Sequence, residues 1–276
     1  MIRIGCTSFN EHSYLTGKKN STLYEYASFF PLVEMDTGFY YLPSKANIEQ
    51  WLAQVPTNFR FILKIHKTFT KHQELEEGQT FVEMARQLRE NLAPMIEQGR
   101  LFCLLAQFPA TFKCTRENVD YLRLLRKLLK ELPVAIEFRD RSWYEERFLS
   151  GTRQFMTQQE FSLVVVDEPK KLSTTVPLDN YVTNDQFTFF RFHGRNDAGW
   201  VATGPDARQV RTNYCYSESE LLELKQAVEA VKDKTQEIAV IFNNNAGNDA
   251  AKNAMQFKQQ LGLDFEALNP SQLELF

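Results

Sequence analysis

Glu137 and Arg139 stand two residues apart at the end of the apolar run Val134-Ala135-Ile136, within Glu137-Phe138-Arg139. On a strand that spacing sends both side chains to the same side. A carboxylate and a guanidinium are costly to bury there without a partner or a task. Comparable polar groups end six other apolar runs: Asp36, Lys64 with His66, Gln107, Asp167, Arg191 with His193, and Asn243 with Asn245. Most share parity with an apolar residue two positions earlier, as Lys64 does with Ile62 and Arg191 with Phe189. Taken together they predict a polar pocket where the strand ends converge.

The residue types set the chemistry. Lys64, Arg139 and Arg191, with His66 and His193 beside them, offer several donors to an anionic group, and arginine suits bidentate phosphate or carboxylate. Glu137 and Asp167 fit general acid and base roles, with His193 a third candidate catalytic group. Asp36, Gln107, Asn243 and Asn245 would orient a substrate by hydrogen bonds. Rim aromatics, Trp143 among them, could stack on a sugar or base.

Two rival chemistries fit less well. A divalent metal could use His66, Glu137, Asp167 and His193. With four histidines in the chain and no His-x-His or His-x-x-x-His spacing, no cofactor is expected and metal is not favoured. A glycosidase needs two carboxylates at a defined separation. Glu137 with Asp167 or Asp36 is possible, but the cations favour an anionic substrate over a neutral sugar. Cys6 and Ser8 carry no adjacent nucleophile signature.

The elements that position these residues follow from periodicity and punctuation. Apolar runs predict strands at 2–7, 33–40, 59–66, 101–108, from 134, 162–167, 187–193 and 237–242. Helices are predicted between them: Thr22-x-x-Glu25, Thr80-x-x-Glu83, Ser142-x-x-Glu145 and Ser217-x-x-Glu220 read as capping boxes. Others follow Pro43-Ser44 and span 118–132 and 249–261, with an interruption near Gly151 and Gly262 as a C-cap. Residues 168–186 show no helical period, so the crossover helix after the sixth strand should be short or missing, and 194–216 reads as irregular loop. Eight strands alternating with helices predict an α/β fold, a single (β/α)8 TIM barrel over 1–265, with a tail at 266–276. No glycine-rich nucleotide loop follows any strand, which argues against an open doubly wound sheet.

Composition bounds the function. The net charge of −3 gives no global basic field for nucleic acid. Four scattered cysteines without a C-x-x-C pair give no disulfide framework or zinc knuckle. No apolar run approaches the ~20 residues of a membrane span. A cytoplasmic protein is expected, with no membrane partner.

Two resemblances extend the reading. Val33-Glu34-Met35-Asp36-Thr37-Gly38-Phe39-Tyr40, Phe59-Arg60-Phe61, Lys64, Gln107-Phe108-Pro109, Glu137-Phe138-Arg139 with Ser142-Trp143, Arg191-Phe192-His193-Gly194 and Phe242-Asn243-Asn244-Asn245 resemble the YecE-like proteins. That bacterial family is catalogued as domain of unknown function 72. The resemblance implies a TIM barrel and these site positions, and it implies no activity. Asp36 stands where the family more often has Asn, and Thr7-Ser8-Phe9-Asn10 lacks its Gly-Trp. At the C-terminus, Gln272-Leu273-Glu274-Leu275-Phe276 resembles the peptide by which bacterial replication and repair proteins bind the sliding clamp. Gln272, Leu273, Leu275 and Phe276 would be its anchors.

The expectation is therefore an enzyme acting on an anionic, phosphate-bearing or nucleic-acid-derived substrate, by hydrolysis of a phosphoester or glycosyl bond. The alternatives are a non-catalytic binding module docked to the clamp, and a carboxylate-based sugar hydrolase or isomerase.

Overall fold

β-Branched and aromatic residues cluster in the strands, where such side chains pack best on a pleated surface. The computed structural model describes residues 1–204 and 206–270. It has strands β1 Ile2–Thr7, β2 Leu32–Met35, β3 Arg60–Lys64, β4 Leu101–Gln107, β5 Val134–Glu137, β6 Phe161–Leu163, β7 Val165–Asp167, β8 Phe187–Phe192 and β9 Glu237–Phe242. They form one parallel sheet in the order β6-β5-β4-β3-β2-β1-β9-β8-β7. Its two edges, β6 and β7, are separated only by Val164, whose N–H donates to Ile136 O at 2.9 Å. The sheet is thus a nearly closed barrel of eight staves, the sixth broken once, with helices around it: a TIM-barrel fold.

The capping signals behave as their chemistry predicts. Thr22 with Glu25 and Ser217 with Glu220 form complete capping boxes, and Thr80 accepts from the Glu83 N–H. Residues 168–186 contain no helix, so the sixth crossover helix is missing.

Several boundaries differ from the sequence expectation. The second strand stops at Met35, and Thr37–Tyr40 turns into a helix. Gly38 permits this, because a Cβ there would lie 2.4 Å from Lys64 O. The helix expected from 118 starts at Arg116, capped by Thr115. Ser142 does not cap a helix. It belongs to a 3₁₀ turn, Arg141–Tyr144, whose cap is the Asp140 carboxylate accepting from Ser142 N at 2.9 Å. The α-helix that follows, Glu146–Gln158, runs through Gly151 without a break. The stretch 194–216 is not irregular throughout, since it holds helices Asp197–Val201 and Ala207–Thr212. At its start Gly194 takes φ +89°, with Tyr214 Cβ only 2.5 Å from where a Cβ would stand.

Strand register fixes what faces the barrel interior. Thr7 aligns with Glu34, Gln107 with Glu137, and Arg191 with both Val166 and Ile241. Residues two positions on, including Glu168, His193 and Asn243, continue those inward rows toward the C-terminal mouth. At the opposite end Asn269 ties the chain down. Its N–H donates to Ala27 O, and its side chain to Tyr24 O and Gln54 O. No described helix is long and apolar enough to cross a membrane.

Candidate active site

Arg191 is the centre of the site. It is almost wholly buried and bonds two carboxylates: Nε and NH2 donate to Glu34 at 2.7 and 2.5 Å, and NH1 to Glu137 at 2.6 Å. Thr7 Oγ1 donates a further bond to Glu34 at 3.1 Å. Arg139 lies above this layer. Its NH2 is 2.6 Å from Glu137 Oε1, and its NH1 donates to Glu168 Oε1 at 2.6 Å. His193 Nε2 sits 3.3 Å from Glu137 Oε1 and 3.0 Å from Arg139 NH2, while Asn243 Nδ2 lies 2.8 Å from His193 Nδ1. Lys64 Nζ donates to Gln107 Oε1 at 3.1 Å and stands 4.6 Å above the Phe39 ring.

These groups line a cavity of about 580 Å³ at the barrel mouth, bordered by Asp36, Phe39, Lys64, Gln107, Arg139, Arg191, His193, Trp200, Arg211 and Asn243. Seven of the strand-end candidates therefore meet there with His193: Asp36, Lys64, Gln107, Arg139, Arg191 and Asn243 at its wall, and Glu137 directly behind. A larger cavity, about 960 Å³, opens near the N-terminal strand ends between Arg126, Arg153, Asp179 and Phe187. Its Arg153–Asp179 pair is already closed at 2.5 Å, and it holds no comparable buried ionic cluster.

Four expected site residues are placed elsewhere. Asp167 bonds Arg195 at 2.7–3.1 Å and accepts from Tyr216 OH at 2.8 Å. It aligns with Phe192, whose neighbours in register point away from the interior, so Glu168 takes the inward place. Trp143 is packed face to face on Phe138, centroids 4.0 Å apart, and donates to Phe112 O. His66 accepts from Thr68 N at the start of a 3₁₀ turn, and His72 borders the cavity instead. Asn245 donates to Glu11 at 2.8 Å. Gln272, Leu273, Leu275 and Phe276 lie outside the described residues. Glu168 and Arg211 were absent from the sequence expectation, and Glu34 was placed on the face of Asp36 without being counted among the site residues. Glu34 had a signal, two residues before Asp36 on the same face.

A family model described as "Protein of unknown function DUF72" matches residues 3–274. The chain belongs to the DUF72 family. It is 36% identical to the UPF0759 protein YunF of Bacillus subtilis (strain 168), covering all of both chains. Among solved structures it is similar to a DUF72 family protein of Enterococcus faecalis V583 (EF0366), with TM-score 0.95, 48% identity and coverage of 99% of this chain and 100% of that one. It is also similar to the DUF72 family protein TM1631 of Thermotoga maritima MSB8, with TM-score 0.81, 33% identity and coverage of 95% and 100%.

Electrostatics sort the roles in this DUF72 site. Burial pushes the Glu137 carboxyl up, but Arg139, Arg191 and His193 together hold it well below the usual carboxylate range. It stays ionised and anchors the two guanidiniums. Burial raises Glu34, and nearby Asp36 adds to that against the pull of Arg191. Burial also raises Glu168, to about 7, with Arg139 opposing. His193 is pushed down to about 3 by burial and by the charge of Arg139, so its imidazole is neutral. Lys64 is lowered by burial, with Asp36 pulling the other way and Arg191 adding to the fall. Among the described residues no group of three or more His, Cys, Asp or Glu is placed to hold a metal ion.

Proposed function

We propose that the barrel mouth binds a small anionic, phosphate-bearing or nucleic-acid-derived substrate and that the protein is an enzyme acting on it. The observation that carries this reading is the layering of charge. Lys64, Arg139 and Arg211 line the cavity, while Arg191 and the side chains of Glu34, Glu137 and Glu168 sit behind them at 0–2% exposure. Buried carboxylates fix and orient the cations, and the cations present donors to the ligand. Asp36 is the acidic group at the wall itself. Trp200 packs edge-on to His193 and lies under both Arg139 and Arg211, at 5.3 and 5.0 Å, giving a flat aromatic wall to a sugar or base.

In this reading Glu137 orients Arg139 and Arg191 and transfers no proton. The titratable groups facing the substrate include Lys64, Asp36, His72 and His193. Calorimetric titration with inorganic phosphate and a nucleoside monophosphate tests it. Saturable binding is expected, weakened at least about tenfold in Arg139→Gln, since a charge-assisted pair contributes roughly 1.5–3 kcal/mol. Absence of binding to both ligands refutes the anion site.

The close Glu137–Arg139 contact supports a second reading, a binding module without turnover. Phosphate release from the bound monophosphate separates the two. Docking of the C-terminal peptide to the sliding clamp is also proposed. Asn269 holds the chain at the face opposite the cavity. Deleting residues 272–276 should abolish binding to purified clamp, and unchanged affinity removes the proposal.

A further inference from the structure

We propose that Lys64 is a carbonyl-capturing amine, whose Nζ adds to an aldehyde or ketone carbon of the anionic substrate and forms an imine. This rests on the anion-binding reading of the same cavity and names the second functional group its ligand would carry. Lys64 is the last residue of β3, so its backbone is fixed by the sheet, and its side chain lines the mouth cavity. Two contacts aim the amine: Gln107 Oε1 at 3.1 Å and the Phe39 ring at 4.6 Å. Gln107 is a neutral acceptor, so it positions Nζ without holding it as ammonium in the way a bonded carboxylate would. The lysine also shares its cavity with Arg139, Arg191 and Arg211.

A partly buried lysine beside other cations is the setting in which an amine becomes nucleophilic near neutral pH. Burial and the Arg191 charge both lower Lys64, and the opposing carboxylates, Asp36 first, do not cancel them. Among the described residues no other side chain at the cavity wall combines these properties. His193 is neutral but held between Arg139 and Asn243, and Arg139 and Arg211 are placed to hold the anionic end of a substrate.

The step balances simply. The neutral amine adds to the carbonyl carbon, and a proton passes from nitrogen to oxygen to give a carbinolamine. The C–O bond then breaks as the hydroxyl takes one proton from solvent and leaves as water, and the nitrogen lone pair completes the C=N bond of a protonated imine. Reduction by added cyanoborohydride converts that imine to a stable secondary amine.

The test uses the full wild-type chain with glyoxylate, a carboxylate-bearing aldehyde, and cyanoborohydride at pH 7. Adducts are mapped by mass spectrometry, with and without inorganic phosphate. Exposed Lys113 and Lys130 in the same chain are the internal controls, so no variant has to fold. Each unit by which an ammonium group is lowered raises its free-amine fraction about tenfold. Lys64 is therefore expected to react faster than either control, with phosphate slowing Lys64 alone. Labelling of Lys64 no faster than of Lys113 overturns the inference, and if phosphate still binds by calorimetry the anion site stands without it. Fast labelling that phosphate does not slow supports the imine and overturns the anion reading.

Discussion

Replacing Arg191 with Met should expose how the site is held together. Removing one partner of a buried ion pair costs about 3–5 kcal/mol, because the other charge stays behind. Here one guanidinium serves two fully buried carboxylates. Glu137 keeps Arg139 at 2.6 Å, whereas Glu34 keeps the Thr7 hydroxyl at 3.1 Å. A loss of about 4 kcal/mol is expected, which for a chain of 276 residues lowers the melting temperature by roughly 7 °C. The pH dependence carries the sharper test. Glu34 is already raised in the folded state, and losing Arg191 raises it further. For a raised carboxyl the cost is complete above its folded pKa and vanishes below the unfolded value of about 4.3. The deficit measured by urea unfolding should therefore shrink from pH 7 toward pH 4.5. Adding Glu34→Gln should recover part of it at pH 7. A deficit under about 1 kcal/mol, one that is flat with pH, or one that Glu34→Gln leaves unchanged refutes the argument.

Glu168, raised to about 7, should cost the wild type about 3 kcal/mol as pH climbs from the ordinary carboxylate range to its folded value. Glu168→Gln lacks that slope, and parallel stability curves for the two proteins over this window would count against burial as the cause. Trp143→Phe keeps the stack on Phe138 but leaves Phe112 O without its donor, for a loss of about 1–2 kcal/mol and unchanged phosphate affinity. Trp200→Ala should do the reverse, weakening phosphate about tenfold through the two guanidiniums it supports while shifting stability by less than about 1 kcal/mol. Unfolding and calorimetry on both variants check this, and exchanged outcomes refute the assignment of the two tryptophans.

The barrel was legible in sequence because each stave is a short apolar run bounded by proline, glycine or a capping residue. The site was legible wherever an apolar residue two positions earlier reported the face, as Ile62 does for Lys64 and Phe189 for Arg191. Where that signal fails, so does the reading. Leu163-Val164-Val165-Val166 is apolar throughout, and an unbroken apolar run gives no alternation from which to choose between Asp167 and Glu168. Only the pairing of Val166 with Arg191 decides for Glu168. Arg211 is set against Trp200 by two short helices in a stretch without apolar period, a tertiary fact with no local trace. Depth is the other missing coordinate. Glu34, Glu137, Lys64 and Arg139 all look like polar strand ends, yet Glu34 and Glu137 lie beneath the cations, and Lys64 and Arg139 form the wall. That difference underlies the roles proposed above. The acid read from sequence as the proton-transfer group is fixed in its charged form by its neighbours, and the lysine read as a point charge for an anion is the side chain whose charge the site works against.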